Sequence, residues 1–444
     1  MLFLDDIQIS STMIWETKAA YSSANLEKAQ RALQKLIDES KCFTEKLDAL
    51  HLLVTVLIER DAQEQAFTTS LEVLSQLGET IPDSFDKRDA RAMIKKTSKI
   101  LGAISEESMS KMKAVDQKTQ YILMFYSHIS SVSFFAKPAM VPYFSCRMMQ
   151  LSMASGISKY SLGSFLVYAG MLCNNKAFRN IEAGCRLGKL VMKVLSNRFG
   201  SSSDQKAKLF FQYYALIAYY CEPFQRCSDK LREGFEAGMC SGDVHFSFLN
   251  ALNRIRLGLL SGENLQELLK ETEYYLSLMG THKQNQTKAL MLMFHETISL
   301  LISSSAYTAP TVATGSIIPQ VQHCFHKALQ SFFMSRSERC NHFSEKIMQA
   351  AEGGRQHHIF VTFYYALNSF KVAEVVRTKK MHAVPEQALS IFRASAEHSK
   401  INFQNKVELL EAEIYNRDGE HNKSKTCYAA AIASAKSSNL THEA

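Results

Sequence analysis

Residues 412–431 read AEIYNRDGEHNKSKTCYAAA, and the spacing of a few small and aromatic side chains within them decides the fold. Ala412 and Tyr415 fall three residues apart on one predicted helix. Ser424, Tyr428 and Ala431 fall four and then three residues apart on a second. Such steps are about one α-helical turn, so each set lines one face. Small side chains where two helices cross let the backbones approach, and an aromatic one fills the gap to the next pair. Between the sets stands Asp418-Gly419, a turn former that ends one helix and lets the chain reverse. The stretch predicts two antiparallel helices joined by a tight turn.

The same periodicity runs back toward the N-terminus. Leu26, Ala29, Leu33, Leu36 and Ile37 form one helical stripe within 25–40. Residues 47–58 are apolar nearly all round, so that helix needs cover on more than one side. A helix over 62–77 is expected to stop at Gly78, and Pro82 discourages an immediate restart. Ala66, Ser70 and Val73 repeat Ala29, Leu33 and Leu36 at an interval of 37 residues. Residues 1–80 thus read as four helices with polar breaks at 22–25, 40–44 and 60–61. Connections this short make neighbouring helices antiparallel.

The middle of the chain is read segment by segment. Residues 83–116 predict two amphipathic helices with a solvated face, and 117–156 are rich in Phe, Tyr, Met and Ser. Residues 160–199 predict two helices, with Gly184, Gly188 and Val191 of the second admitting the first closely. Leu209 to Tyr220 is strongly aromatic, and Pro223 is expected to end or kink it. Gly242, Gly258 and Gly262 are expected to punctuate a further pair. Residues 303–319 (SSSAYTAPTVATGSIIP) read as a mobile polar linker, and helices are expected to resume at Val321.

Composition agrees with an all-α chain. Only 18 Gly and 7 Pro in 444 residues leave room for long helices and little for the turns of an all-β fold. The net charge of +8, from 51 basic and 43 acidic residues, is scattered without a basic run, which disfavours a nucleic-acid partner. None of the 10 cysteines forms a CxxC pair, and most sit in apolar helical stretches, which fits a reducing, cytoplasmic setting. Asp5 and Asp6 interrupt the opening MLFLDDIQIS, so it does not read as a signal peptide. No stretch reaches 18 apolar residues, so no membrane span is expected.

Residues 412–431 are similar to the tetratricopeptide repeat, a helix pair of about 34 residues. The chain as a whole resembles the helical-repeat region of very large signalling proteins. Those proteins join a protein-kinase-like domain, an AAA-type (Orc-like) ATPase domain, the repeat region, a GAF sensor domain and often a histidine kinase or cyclase output. Four pieces carry the resemblance. Residues 74–82 (LSQLGETIP) resemble the end of the early repeats, and 144–156 (FSCRMMQLSMASG) a helix ending in VxLSLxxG. Residues 168–195, through Asn180, Ala183-Gly184 and Gly188, resemble a pair whose second helix reads DxxxGYRFGxLAL. Residues 402–413 (NFQNKVELLEAE) resemble NFxxKxxLLEAE. Two features depart from the pattern: Cys185 stands where Tyr is common, and 303–319 is longer and more polar.

The resemblance implies an α-α superhelix, a tetratricopeptide-like solenoid of antiparallel pairs. It divides the chain into N-terminal repeats (1–80), a degenerate repeat region (81–302), the linker (303–319) and C-terminal repeats (320–444). The last repeat reads as cut, because 441–444 stand where the family begins another helix. The implied function is a protein–protein interaction scaffold or regulatory module in signal transduction, without catalytic activity of its own. The implied partners are an AAA-type ATPase, a kinase or a GAF-containing module. Two alternatives stand beside it: a non-catalytic segment of a larger ATPase or kinase polypeptide, and a nucleic-acid-binding helical repeat.

No chemistry-bearing motif displaces that reading. The sequence lacks a GxxxxGK[ST] phosphate loop, an HRD–DFG pairing and a GxSxG elbow. His323 and His326, with Cys324 between them and Cys340 and His342 beyond, match no zinc-ligand spacing and read as surface histidines, as do His357 and His358. The aromatic stretch 209–220 has two readings, a sticky groove or a buried helix with tyrosine hydroxyls at the rim, and the second is favoured. No residue is therefore assigned to a catalytic, cofactor-binding or metal site.

Overall fold

The first described helix begins where its cap places it. Asn25 Oδ1 accepts from the Lys28 N–H at 3.2 Å and opens α1 (Leu26–Glu39). Its apolar stripe is buried as the spacing predicts, at Ala29, Leu33, Leu36 and Ile37. Next come α2 (Phe43–Glu59) and α3 (Gln63–Gln76), and α2 buries residues on several sides, Leu47, Ala49, Leu53, Val54, Val56 and Leu57 among them. The chain leaves α3 through Gly78 at φ +93°, a left-handed conformation that suits glycine. These coordinates are a computed structural model describing residues 25–60, 62–101, 106–175, 179–200, 204–303, 317–352, 359–375 and 379–444. The first of the four helices expected in 1–80 lies outside them.

Beyond α3 the order of packing departs from a simple series. After α4 (Lys87–Leu101) and the short α5 (Glu106–Lys111) come α6 (Gln117–Ala136) and α7 (Val141–Ser155). The main partner of α3 is α6, and α4 packs on α7. Expectation had each helix against the next. Instead α5 has only six residues, too short to cover a neighbour, and the long apolar α6 takes its place. Glu79, just past α3, pins the arrangement. Arg147 of α7 grips its carboxylate through Nε at 2.9 Å and Nη2 at 3.0 Å, and the Tyr126 hydroxyl of α6 donates to it at 2.7 Å. Two of the family-like pieces, 74–82 and 144–156, are joined by this ion pair.

Next follow α8 (Leu162–Asn174), α9 (Ile181–Val194), α10 (Lys206–Tyr214), α11 (Phe224–Ser241) and α12 (Val244–Ser261). Asn180 caps α9, its Oδ1 accepting from the Ala183 N–H at 2.9 Å. Gly184 admits α8 as expected: a Cβ there would lie 2.5 Å from Cys173 Sγ. Gly188 instead makes room for the Tyr213 ring. The aromatic helix is shorter than predicted. It stops at Tyr214, residues 218–220 form a 3-10 turn, and Pro223 stands just before α11. Gly242 and Gly262, both at positive φ, mark the ends of α11 and α12, whereas Gly258 is buried inside α12.

The remaining helices are α13 (Leu265–Thr281), α14 (Asn285–Ile302), α15 (Ile317–Phe333), α16 (Ser337–Glu352), α17 (Ile359–Val375), α18 (Lys379–Ala396), α19 (Lys400–Arg417) and α20 (His421–Ser437). From α13 onward each packs on the next, and α15 also meets α17, as α17 meets α19. The α19–α20 pair turns and crosses where predicted. Gly419 turns the chain at φ +79°, and Ala412, Ser424 and Ala431 are buried at the crossing. Helix resumes at Ile317, earlier than Val321, because Pro319 falls in the first turn, where its missing N–H costs nothing. Residues 304–316 lie outside the described set. Residues 441–443 form a single 3-10 turn.

The described residues are all-α, 83% helical with 20 helices and no strand. It divides into two compact units. Unit 1 holds the described residues up to Tyr168 with Lys189–Leu209 and Ala237–His245. Unit 2 holds Ala169–Gly188, Phe210–Glu236 and Phe246–Ala444. The divisions drawn at 80, 302 and 319 describe stretches of sequence character. Among the described residues no helix is long and apolar enough to cross a membrane.

Candidate functional site

The non-helical passage between α10 and α11 leaves main-chain groups that no helix satisfies, and Asn402 of α19 meets them. Its Nδ2 donates to the carbonyls of Tyr219 and Glu222, each at 2.7 Å, and its Oδ1 accepts from the Phe224 N–H at 3.1 Å. Aromatic rings close round this staple. Tyr220 and Phe224 lie 5.9 and 6.0 Å from Phe403, and Phe224 lies 5.5 Å from Phe360. The tyrosine hydroxyls turn inward and not to the rim. Tyr213 donates to Glu222 at 2.8 Å, and Tyr219 and Tyr220 donate to Asn174 Oδ1 at 3.2 and 3.0 Å. The favoured reading of 209–220 as buried structure agrees with this geometry. The face of α17 and α19 bearing Phe360, Asn402 and Phe403 is filled by the chain itself.

One turn further along α19 lies a buried ion pair. Lys406 Nζ is 2.5 Å from Glu443 Oε2, and Asn405 Nδ2 donates to the same oxygen at 2.5 Å. The ammonium also donates to the Asn402 carbonyl at 3.2 Å. The rings of Phe224 and Phe363 flank it, with centroids at 5.9 and 5.6 Å. In such apolar surroundings a lysine is tolerated only with a carboxylate beside it.

Of the histidines weighed as zinc ligands, His326 is buried and not at the surface as expected. His326 Nδ1 lies 2.9 Å from Thr297 Oγ1, and its ring stands edge-on to Phe294 at 4.3 Å. Burial pushes its pKa down to about 3. His323 and His342 both lie against Phe343, at 6.3 and 5.3 Å. Burial raises the Cys340 thiol to about 11, away from the thiolate that metals need. Among the described residues no group of three or more His, Cys, Asp or Glu is placed to hold a metal ion. His357 and His358 lie outside the described set.

Unit 1 holds a further cluster of titratable side chains. His51 of α2 and His128 of α6 place Nδ1 and Nε2 2.7 Å apart, a distance that requires one ring to accept while the other donates. Burial pulls His51 down to about 4 and His128 well below its ordinary value. Beside them Lys208 donates to the Ser127 carbonyl at 2.9 Å and to its hydroxyl at 2.7 Å, and burial lowers the amine to about 8. His245 is lowered to about 4, again by burial first and the Lys208 charge second. Its main-chain N–H donates to Glu59 Oε1 at 3.0 Å. A serine beside a lowered lysine is one arrangement for nucleophilic chemistry. Ser127, however, is 5% exposed and lies mid-helix in α6, without the sharp turn that presents a nucleophile. The cluster is a polar core that titrates.

Sequence reasoning passed over Asn402, Lys406, His51 and His128. Asn402 and Lys406 had a signal: they stand at i and i+4 in the same stripe as Phe403, Val407 and Leu410. A polar residue inside an apolar stripe must find a partner. His51 had a similar one, as a polar residue in a helix apolar all round. No family model matches the chain, and no curated protein matches it.

Proposed function

We propose that the protein is a protein–protein interaction scaffold, a regulatory tetratricopeptide-like module in signal transduction that works in the cytoplasm. The supporting observation is the run from α13 to α20. Helices there pack in sequence, α15 on α17 and α17 on α19 besides, with Ala412, Ser424 and Ala431 buried where the last pair meets. Helix arrays of this kind present large side-chain surfaces with little chemistry of their own, which suits holding other proteins. The step to signalling rests on the resemblance at 74–82, 144–156, 168–195 and 402–413, an analogy of sequence and not of a site.

Fluorescence anisotropy with single- and double-stranded nucleic acid tests the reading. A scaffold for proteins binds neither appreciably. Affinity that falls steeply between low and moderate salt would replace the proposal with a nucleic-acid-binding one. An immunoblot of the native gene product separates the two forms of the scaffold. A band near 50.1 kDa indicates a stand-alone adaptor, and one several times larger a module within a signalling polypeptide.

A further inference from the structure

Lys406 and Glu443 form an ion pair with side-chain exposures of 0% and 7%, yet the two arrive from unequal supports. Lys406 lies within α19, between the buried Asn402 and Leu410. Glu443 comes from the 3-10 turn Thr441–Glu443, whose neighbours Thr441 and Ala444 are exposed. Long hydrogen bonds hold that segment: Gln225 Nε2 to the Ser438 and Asn439 carbonyls at 3.3 and 3.4 Å, and Thr441 Oγ1 to the Gly262 carbonyl at 3.4 Å. Leu440 is buried, and His442 packs against Gly262. Lys327, by contrast, meets its carboxylate on a long helix, at Glu296 of α14. Segments with few buried groups and an exposed backbone open most readily.

We propose that the Lys406–Asn405 pocket is a carboxylate-binding site for an acidic peptide segment of a protein partner, closed in cis by Glu443. The proposal deepens the scaffold reading and rests on it for the partner being a protein. The pocket selects a carboxylate because a neutral amide leaves the buried ammonium without a counter-charge. A tethered group acts at an effective concentration on the order of millimolar. A partner must therefore offer a glutamate or aspartate to the buried ammonium.

The test uses the full chain and the peptide acetyl-Leu-Thr-His-Glu-Ala-amide. Glu443→Ala lowers Tm, and millimolar peptide restores several degrees of it. The peptide carrying Gln in place of Glu does not, and the double variant Lys406→Met/Glu443→Ala folds but no longer responds. Equal rescue by both peptides, or a response that survives Lys406→Met, overturns the proposal. So does a Glu443→Ala chain that ignores the peptide. If neither Glu443→Ala nor Glu443→Gln folds, Glu443 is part of the core and the proposal fails. Each of these failures leaves the scaffold reading standing, which falls only on the salt dependence of nucleic-acid binding.

Discussion

In unit 1, α3 reaches past two helices to pack on α6, and α4 past two to α7. From α13 to α20 every helix packs on the one that follows. The first arrangement needs pins between segments far apart in sequence, and Glu79 with Arg147 and Tyr126 is one. The second is assembled from turns such as Asp418-Gly419 and small residues such as Ala412 and Ser424. Even so, the sequential run is not purely local. Asn402 ties α19 to residues 219–224, and Glu443 returns the chain to the same helix. Both regions thus rely on distant polar staples, and they differ in how much of the remaining packing is decided nearby.

Substitutions can break that comparison. The largest effect is expected at the staple. Asn402→Ala strands two carbonyls and one N–H in an apolar site and should cost about 4 kcal/mol, since each buried unsatisfied group costs roughly 1–3. Urea denaturation followed by far-UV circular dichroism measures it. A loss under about 1 kcal/mol would mean that the sequential run holds without its distant tie. In unit 1, Glu79→Ala leaves Arg147 without its bidentate partner. Arg147 is 35% exposed, so solvent softens the loss to about 2 kcal/mol. Hydrogen exchange should quicken first in α6 and α7. Uniform quickening across the chain would show that the pin is not specific to the skipped pairing.

Acid provides a subtler contrast. Burial holds His51 and His245 near 4 and His128 well below its ordinary value, against an ordinary 6.5 for all three. Unfolded rings take up protons as pH falls through 6.5, and the folded ones do not until about 4. The unfolded state therefore binds more protons in that window. Stability is full above pH 6.5 and is lost as pH falls toward 4. Corrected for intrinsic rates, amide exchange in α2 and α6 should accelerate from pH 7 to pH 5 more than in α17 and α19, which contain no histidine. Equal acceleration would show that the His51–His128 contact does not govern the response. The smallest effect belongs to the exposed pair Lys111–Glu107, at 74% exposure each, where Lys111→Ala should change stability by less than about 0.5 kcal/mol.

Much of this was visible in the residues. The stripe Leu26–Ile37, the stop at Gly78 and the crossing at Ala412, Ser424 and Ala431 all rest on spacings within one or two helical turns. The aromatic passage was legible as core but not in shape. Its rings announce burial, whereas the end of α10 at Tyr214 depends on Asn402 satisfying the main chain beyond it. Lys406 and His51 were visible as polar residues in apolar stripes. Their partners were not, since Glu443 and His128 lie 37 and 77 residues away.

The amino-acid sequence alone determined that the protein is all-α and where most helices begin and end, because periodicity, caps and turn glycines act between residues a few positions apart. The tertiary structure decided that α3 seeks α6, that residues 219–224 fill the face of α19, and which buried charges and imidazoles meet. Those outcomes depend on which apolar faces cover one another best and which polar groups find partners across long stretches of chain. Local spacing carries no record of either.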